Sequence, residues 1–178
     1  CMDLDMSARY PGLHFGVRRS GIDTAEKALA LWQVIQRTPQ VSLAGVMGYE
    51  AQVASIQDRA PGNILRNMVL RYLKRRSVRL ATKRRAEIIQ ALTGAGWSSR
   101  FVNGGGTGSL ESTGADPVVT EVTVGSAFYA PALFDHFDAF RHEPAAGFAV
   151  EIVRQPQVGY HICHGGGYVA SGAAGPDK

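Results

Sequence analysis

The sequence is poor in cysteine and contains no long apolar run. Its two cysteines, Cys1 and Cys163, offer no disulfide framework, so we expect reduced thiols in a cytoplasmic protein. No apolar stretch is long enough to cross a bilayer, and no basic and then apolar leader opens the chain. We therefore expect a soluble, non-exported protein with no membrane partner.

Internal repeats and low-complexity segments are also missing, and the 45% hydrophobic content is ordinary for one globular domain. The chain opens on Cys-Met-Asp-Leu-Asp, which has the character of a buried strand already under way, without a start methionine. It ends in a turn at 175–178 that points onward. These termini predict a piece of a longer protein, whose remaining polypeptide would be a partner of this chain.

Positive charge is unevenly distributed along the sequence. About half of the 19 lysines and arginines lie between Arg59 and Arg85. A basic helix of this kind can bind nucleic acid, but no interleaved aromatic residues or recognition motif accompany the run. Long basic side chains more often cover a solvated helix face. We therefore expect no nucleic-acid partner.

Strand-like and helix-like patterns alternate, which predicts an α/β fold with a parallel sheet. The predicted strands are 1–5, 41–47, 100–102 and 118–124, with an antiparallel pair at 148–154 and 159–163. Asp23 is expected to cap a helix that continues to Arg37, with Glu26 completing a capping box. A second helical pattern between Pro61 and Gly94 predicts one bent helix or two in succession. Segment 6–20 is expected to be an irregular loop, and 127–140 is not assigned.

A glycine-rich loop follows the third predicted strand. After Asn103 the chain reads Gly104, Gly105, Gly106, Thr107, Gly108 and Ser109. Glycine lets the backbone approach a ligand closely, and successive amides beside hydroxyl groups suit an oxyanion such as phosphate. A surface turn is the alternative. No Gly-Lys-Ser/Thr follows, so the loop is not a P-loop, and the Gly-x-Gly-x-x-Gly spacing is missing.

Other polar residues follow the predicted strands at their carboxyl ends, where parallel sheets bind ligands. They include Arg18 and Arg19, Tyr49, and Ser126. The tyrosine has two open interpretations, a core residue or a ring beside a planar cofactor. The arginine pair is either a solvated loop or an anion-binding element. Their convergence predicts a site around the glycine loop.

Four motifs, in order, resemble a known family. They are Met2–Asp5 with 19–22 (similar to "ID.D.G..R.G"), 43–50 ("LAGLMAYEG"), 102–109 ("VNGGGTGS") and 120–126 ("TELQPGS"). Together they resemble the alanine racemase-type, fold type III pyridoxal-phosphate enzymes. Within that family they are most similar to the branch of D-threonine aldolase and D-serine dehydratase, including bacterial amino-acid aldolase, deaminase or racemase-like proteins.

The resemblance implies a (β/α)8 TIM-like barrel of the alanine racemase N-terminal domain type, followed by a β-rich domain. Residues 1–142 would be the later part of the pyridoxal-phosphate-binding barrel, and 143–178 the start of the C-terminal domain. The parent protein would be a lyase (aldolase or dehydratase) or a racemase acting on a D-amino acid, and a homodimer. A non-catalytic module that binds pyridoxal phosphate or another phosphate ligand, or regulates through it, is the alternative.

By the same resemblance, specific residues would hold the cofactor, pyridoxal 5'-phosphate. The glycine loop, Gly104 to Ser109, would hold its phosphate, with Gly125 and Ser126 closing the pocket, Tyr49 beside the ring, and Arg19 binding substrate. The family's Schiff-base lysine lies on a strand that this chain does not contain. The lysines present are Lys27, Lys74, Lys83 and Lys178, and none follows a strand. We therefore expect this chain alone to be inactive, with its catalytic residues unknown.

A divalent metal, zinc or manganese, would be bound by residues outside this chain. The pair His161 and Cys163 has the spacing of the family's metal ligands, and both side chains would share one strand face. It falls, however, on the first strand after the barrel rather than near the family's C-terminus. We therefore predict no metal site here.

Overall fold

A computed structural model describes residues 1–166. The turn expected at 175–178, Lys178 and the end of the predicted C-terminal domain lie outside the described residues. Eight strands and four helices make up the described chain. They are β1 (Met2–Asp5), β2 (Ala8–Tyr10), β3 (Leu13–Phe15), α1 (Ala25–Gln36), β4 (Gly45–Tyr49), α2 (Ala51–Ala54), α3 (Ile64–Gly94), β5 (Phe101–Gly104), α4 (Leu110–Gly114), β6 (Glu121–Val122), β7 (Glu151–Gln157) and β8 (Tyr160–His164).

Four strands form a parallel sheet in the order β1-β4-β5-β6. Val46 of β4 is paired with Met2 of β1 and with Val102 of β5, which sets the register across the sheet centre. The α/β class and the parallel sheet are therefore confirmed. Within residues 1–166 the sheet is open, with β1 and β6 at its edges, so the closed barrel stays a prediction.

The hydrophobic core lies between the sheet and two long helices. Leu4 and Val46 project from the strands against Ala28 of α1 and against Ile88 and Leu92 of α3. Helix α3 is one continuous helix of 31 residues, which resolves the choice between one helix and two. None of the described helices is both long and apolar enough to cross a membrane.

The expected irregular loop at 6–20 is wrong in part, because β2 and β3 form an antiparallel hairpin there. Gly12 at its tip has φ +71°, a conformation that favours glycine in a tight turn. Ala8 and Phe15 pair directly and are both buried, which anchors the hairpin. Each strand has only three residues, too few for a recognisable alternation in the sequence.

The expected cap of α1 is displaced by one residue. Thr24 is the N-cap, and its hydroxyl accepts a hydrogen bond from the Lys27 amide at 3.4 Å. Asp23 instead binds the Lys27 ammonium at 2.5 Å and the Arg9 guanidinium at 3.0 Å. The hydrogen bond from Lys27 lowers the pKa of the Asp23 carboxyl. The acidic residue thus links the helix to the β2–β3 hairpin rather than capping it.

The C-terminal part of the described chain differs more from the sequence prediction. The predicted strand 118–124 is reduced to Glu121–Val122, and the unassigned segment contains two single-turn 3₁₀ helices, Ser126–Phe128 and Ala132–Phe134. Strands β7 and β8 pair antiparallel as predicted. Every residue of both strands is exposed. The boundary of a second domain at residue 143 stays a prediction.

Two isoleucines of α3 test the position of the core. Ile88→Ala is expected to reduce the free energy of unfolding by about 2–5 kcal/mol, because it opens a cavity at a side chain with 0% exposure. Ile64→Ala, on the same helix at 77% exposure, should change it by less than about 0.5 kcal/mol. Urea denaturation followed by circular dichroism measures both. Equal losses would show that the inner face of α3 is assigned incorrectly.

Candidate functional site

A cleft of about 510 Å³ opens at the carboxyl ends of the parallel strands. The predicted site residues that line it are Arg19, Tyr49, Gly105, Gly106, Thr107, Gly125 and Ser126. The sequence prediction did not include Asn103, Thr123, Ser55, Leu133 and Phe134, which also line it. The volume is typical of small-molecule sites, which range over roughly 300–1,000 Å³. The carboxyl ends of β4 and β5 and the residues that follow β6 thus converge on one cleft.

One amide of the glycine loop remains available to a ligand. Gly105 adopts φ +85°, which a side chain would strain, and this turns the chain away from β5. The Gly106 amide is already used, since it donates to the Ser109 hydroxyl at 3.1 Å. Within residues 1–166 the Thr107 amide donates no hydrogen bond to the chain. This N–H group can therefore bind an anion in the cleft.

The remaining predicted loop residues do not line the cleft. A Cβ on Gly108 would lie 2.3 Å from the Ala54 carbonyl oxygen, and one on Gly104 would lie 3.1 Å from that of Gly48. Gly108 therefore requires glycine because neighbouring backbone packs against it, and a Cβ on Gly104 would be crowded. Ser109 is buried beneath the loop at 1% exposure.

The Ser109 hydroxyl is held by a buried carboxylate. It donates to Glu50 Oε1 at 2.9 Å, and Thr113 donates to the same oxygen. Because the only hydroxyl proton points to Glu50, the serine oxygen is left to accept from the Gly106 amide. Ser109 thus fixes the loop from below, and its proton is directed away from the cleft.

Arg85 of α3 completes this buried network. Its guanidinium donates to Glu50 Oε2 at 2.9 Å, to the Gly48 carbonyl oxygen at 3.1 Å and to Asp116. Arg85, Glu50 and Asp116 are each at most 4% exposed. We call these three residues the buried ion cluster. It connects the long helix to the end of β4 and to the segment after α4.

Sequence reasoning missed this cluster because Arg85 belongs to the basic run, which was assigned to a solvated surface. That assignment is wrong for Arg85. A signal was nevertheless present, since Arg85 follows Ala81 by four residues and precedes Ile88 and Leu92 by three and seven. That spacing places the arginine on the apolar stripe of the helix. A charge on such a stripe requires buried partners.

Arg19 and Tyr49 line the cleft side by side. The Arg19 guanidinium lies 5.4 Å from the centre of the Tyr49 ring, and its Nε lies 3.5 Å from an Asp3 carboxylate oxygen. The Tyr49 hydroxyl is 3.0 Å from that of Ser55. Arg19 is therefore oriented by a carboxylate on one side and by an aromatic face on the other.

Asn103 of β5 links this strand to β6 and to the segment that follows β6. Its side-chain amide donates to Glu121 at 2.6 Å and to the Thr123 hydroxyl at 2.7 Å. Thr123 in turn donates its backbone amide to the Gly104 carbonyl oxygen at 2.9 Å. These bonds hold the segment after β6 in register with the glycine loop although β6 itself is short.

The described lysines lie away from the cleft. Lys27 binds Asp23, and Lys83 lies 3.6 Å from Glu87. Lys74 is buried, 3.2 Å from Asp58, and donates to the Ile56 carbonyl oxygen at 2.9 Å. Burial lowers the pKa of the Lys74 ammonium, and the Asp58 carboxylate opposes that shift.

Metal ligands are not grouped in the part of the chain that the structure describes. No three His, Cys, Asp or Glu side chains there are placed to share an ion. His161 and Cys163 lie on β8 and are exposed.

The sequence matches no family model and no curated protein. The fold does match solved structures. One is the crystal structure of D-threonine aldolase from Filomicrobium marinum, with a TM-score of 0.60 and 20% sequence identity. The match covers 86% of this chain and 39% of that chain, so this chain spans well under half of the aldolase's length. At this identity the likeness is one of fold.

Two arginines of α3 test the buried ion cluster. Arg85→Met is expected to destabilise the protein by about 3–5 kcal/mol, because Glu50 and Asp116 are left as buried charges without their cation. Arg79→Met removes an exposed guanidinium from the same helix and should cost less than about 0.5 kcal/mol. Thermal or urea denaturation distinguishes the two. Similar behaviour of both variants would contradict a structural role for Arg85.

Proposed function

We propose that this chain is part of a pyridoxal-phosphate-dependent enzyme that acts on a D-amino acid, as a lyase or racemase of the D-threonine aldolase and D-serine dehydratase type. Two independent arguments support the proposal. The fold resembles that of a D-threonine aldolase. The cleft at the strand ends is bordered by the motifs that resemble the cofactor-binding motifs of that family. The observation on which the proposal depends most is the available amide of Thr107 in the cleft.

The cleft fits the phosphate and ring of this cofactor. The amide and the hydroxyl group of Thr107 would bind the phosphate, and Gly125 and Ser126 border the same space. A Cβ on Gly106 would lie 2.9 Å from the Tyr49 ring and 3.1 Å from Ala54, so only glycine leaves this space open. When bound, the cofactor supplies an electron sink for bonds at the amino-acid α-carbon.

The protein's own groups would bind and orient the ligands. Tyr49 would pack beside the ring, and Arg19, held by Asp3, would bind the carboxylate of an amino-acid substrate in the bidentate manner of guanidinium groups. Leu133 and Phe134 supply an apolar wall that would exclude water from this side of the cleft. We thus assign the binding and orientation of the ligands to these residues. Covalent attachment of the cofactor would belong to a lysine elsewhere in the polypeptide.

The wider biology is proposed by resemblance alone. The parent protein would be a cytoplasmic homodimer. Any divalent metal would be bound outside this chain, and residues 1–142 would form the later part of the barrel. The chain by itself would be inactive. Aldolase, dehydratase and racemase activities all remain compatible with the residues that line the cleft.

A second candidate function follows from the position of the lysines. Lys27, Lys74 and Lys83 each have an acidic partner away from the cleft. The chain is therefore suited to hold a phosphate-bearing ligand without covalent chemistry, as a binding or regulatory module would.

Phosphate binding by the loop is tested with Thr107→Val. The substitution removes a hydroxyl group that lines the cleft and keeps the shape of the side chain, so we expect the affinity for pyridoxal phosphate to fall about tenfold. The affinity for pyridoxal, which lacks the phosphate, should change little. Thr93→Val, at an exposed position of α3, is the matched control. Absorbance titrations measure all four affinities, and an equal loss for both ligands would contradict the phosphate assignment.

Covalent attachment is tested separately by borohydride reduction of the chain loaded with pyridoxal phosphate. We expect mass spectrometry to find no single lysine that is modified stoichiometrically, since Lys27, Lys74 and Lys83 lie away from the cleft. Stoichiometric labelling of one lysine would show that the chain carries its own attachment site. That result would remove both the module hypothesis and the need for a lysine elsewhere.

A further inference from the structure

The outward face of α3 changes character along its length. Over its first two turns it carries five exposed apolar residues, which we call the apolar segment. They are Ile64, Leu65, Met68, Val69 and Tyr72, at 77%, 76%, 57%, 49% and 60% exposure. The next turns of the same face carry the exposed residues Arg75, Arg79 and Lys83, which we call the cationic segment. Met68, Tyr72, Arg75, Arg79 and Lys83 are spaced by three or four residues and therefore form one stripe.

This face is opposite to the one that builds the core. The buried residues of α3, among them Ser77, Ala81 and Ile88, lie on the other side of the helix. A helix that covers a sheet normally turns a polar face to water. The apolar segment is therefore unexpected at this position, and contiguous apolar residues on a surface commonly mark an interaction site.

The cationic segment has few local partners. The sequence has no Asp or Glu between Asp58 and Glu87, so α3 supplies an acidic neighbour only beyond Lys83. Arg75 and Arg79 border a cavity that Glu111 and Asp138 also line. Within the described residues neither arginine forms an ion pair, while Lys83 lies 3.6 Å from Glu87. The two guanidiniums are therefore available to an acidic partner.

A lipid surface fits this arrangement poorly. A helix lying on a membrane has its apolar residues along one face and its cations at the margins of that face. In α3 the two kinds of residue follow one another along a single stripe. Immersing Met68 and Tyr72 in a flat interface would carry Arg75 and Arg79 to the same depth.

A second copy of the chain fits poorly as well. Parallel packing of two α3 helices would place cations against cations, and antiparallel packing in full overlap would place cations against the apolar segment. Contact through the apolar segments alone would use about 14 Å of helix on each copy. That length offers far less than the roughly 800 Å² per partner that stable interfaces bury.

We propose that the outward face of α3 binds an amphipathic helix of another polypeptide segment, with apolar residues over two turns and acidic residues over the adjoining two. Its apolar half would cover Ile64 to Tyr72, and its acidic half would pair with Arg75, Arg79 and Lys83. Acidic residues are most favourable at a helix N-terminus. The partner helix therefore runs antiparallel to α3, with its acidic half first.

A synthetic peptide tests this proposal on the full chain. A fluorescently labelled helix of about 18 residues, with glutamates in its first half and leucines in its second, follows the expected pattern. We expect fluorescence anisotropy to show saturable binding that weakens when the salt concentration rises from about 50 to about 500 mM, because ion pairs are screened. A peptide with the two halves exchanged keeps these contacts only by running parallel to α3, with its glutamates at the unfavourable C-terminal end, and should bind about 2–5-fold more weakly.

Paired variants locate the binding face. Leu65→Ser with Met68→Ser, and separately Arg75→Gln with Arg79→Gln, should each weaken peptide binding about tenfold or more. Val34→Ser, on α1 at 59% exposure, and Arg66→Gln, outside the stripe, are the matched controls and should bind as the unaltered chain does. All six substituted residues are exposed, so circular dichroism should show that every variant keeps its fold.

Several outcomes would overturn the proposal. One is no saturable binding of the ordered peptide at low salt, and another is an equal loss in the control variants. A third is binding of the chain to vesicles of anionic phospholipid, if the two paired variants abolish vesicle binding but leave peptide binding unchanged. Sedimentation showing a dimer that Leu65→Ser with Met68→Ser dissociates would assign the face to a second copy instead.

Discussion

The architecture around the cleft depends on one buried guanidinium. Arg85 reaches from the longest helix to the end of β4 and, through Glu50, to the serine beneath the glycine loop. An arginine without solvent is tolerated only when its charge and its donors are compensated, and here two carboxylates and a backbone carbonyl do so. The cluster therefore links the packing of α3 to the geometry of the glycine loop.

Because the glycine loop is fastened from beneath, its residues do not all have the same role. A glycine-rich sequence suggests that every residue in it faces the ligand. In the structure these residues have different roles. Gly104 and Gly108 allow close packing of neighbouring backbone, Ser109 fastens the loop, and Gly105, Gly106 and Thr107 line the cleft. A rigid loop with donors already oriented loses little entropy when an anion binds. An anion bound at Thr107 would therefore cost the loop little conformational entropy.

The sequence predicted the fold best where one physical effect dominates. Apolar runs at β1, β4 and β5 and the alternation with helices were sufficient for the parallel sheet, because buried parallel strands require continuous apolar residues. The β2–β3 hairpin was missed because its strands are short. The burial of Arg85 was missed because the residue lies in a run of basic residues, whose charge outweighed its helical spacing. The predicted N-cap at Asp23 was wrong because the neighbouring Thr24 takes that position. The convergence of Arg19, Tyr49 and the glycine loop on one cleft was predictable, whereas the support beneath them depends on long-range contacts.

Strands β7 and β8 have a different relation to the rest of the molecule. Every residue of this hairpin is exposed, so within the described chain it shares no buried side chain with the sheet layer. Two-stranded hairpins of this kind are marginally stable in water. The hydrogen bonds between β7 and β8 can therefore break and re-form while the parallel sheet and its helices stay folded. Amide exchange in the hairpin should report these local fluctuations rather than global unfolding. A single melting temperature would consequently describe the layer that contains Arg85 and not the chain as a whole.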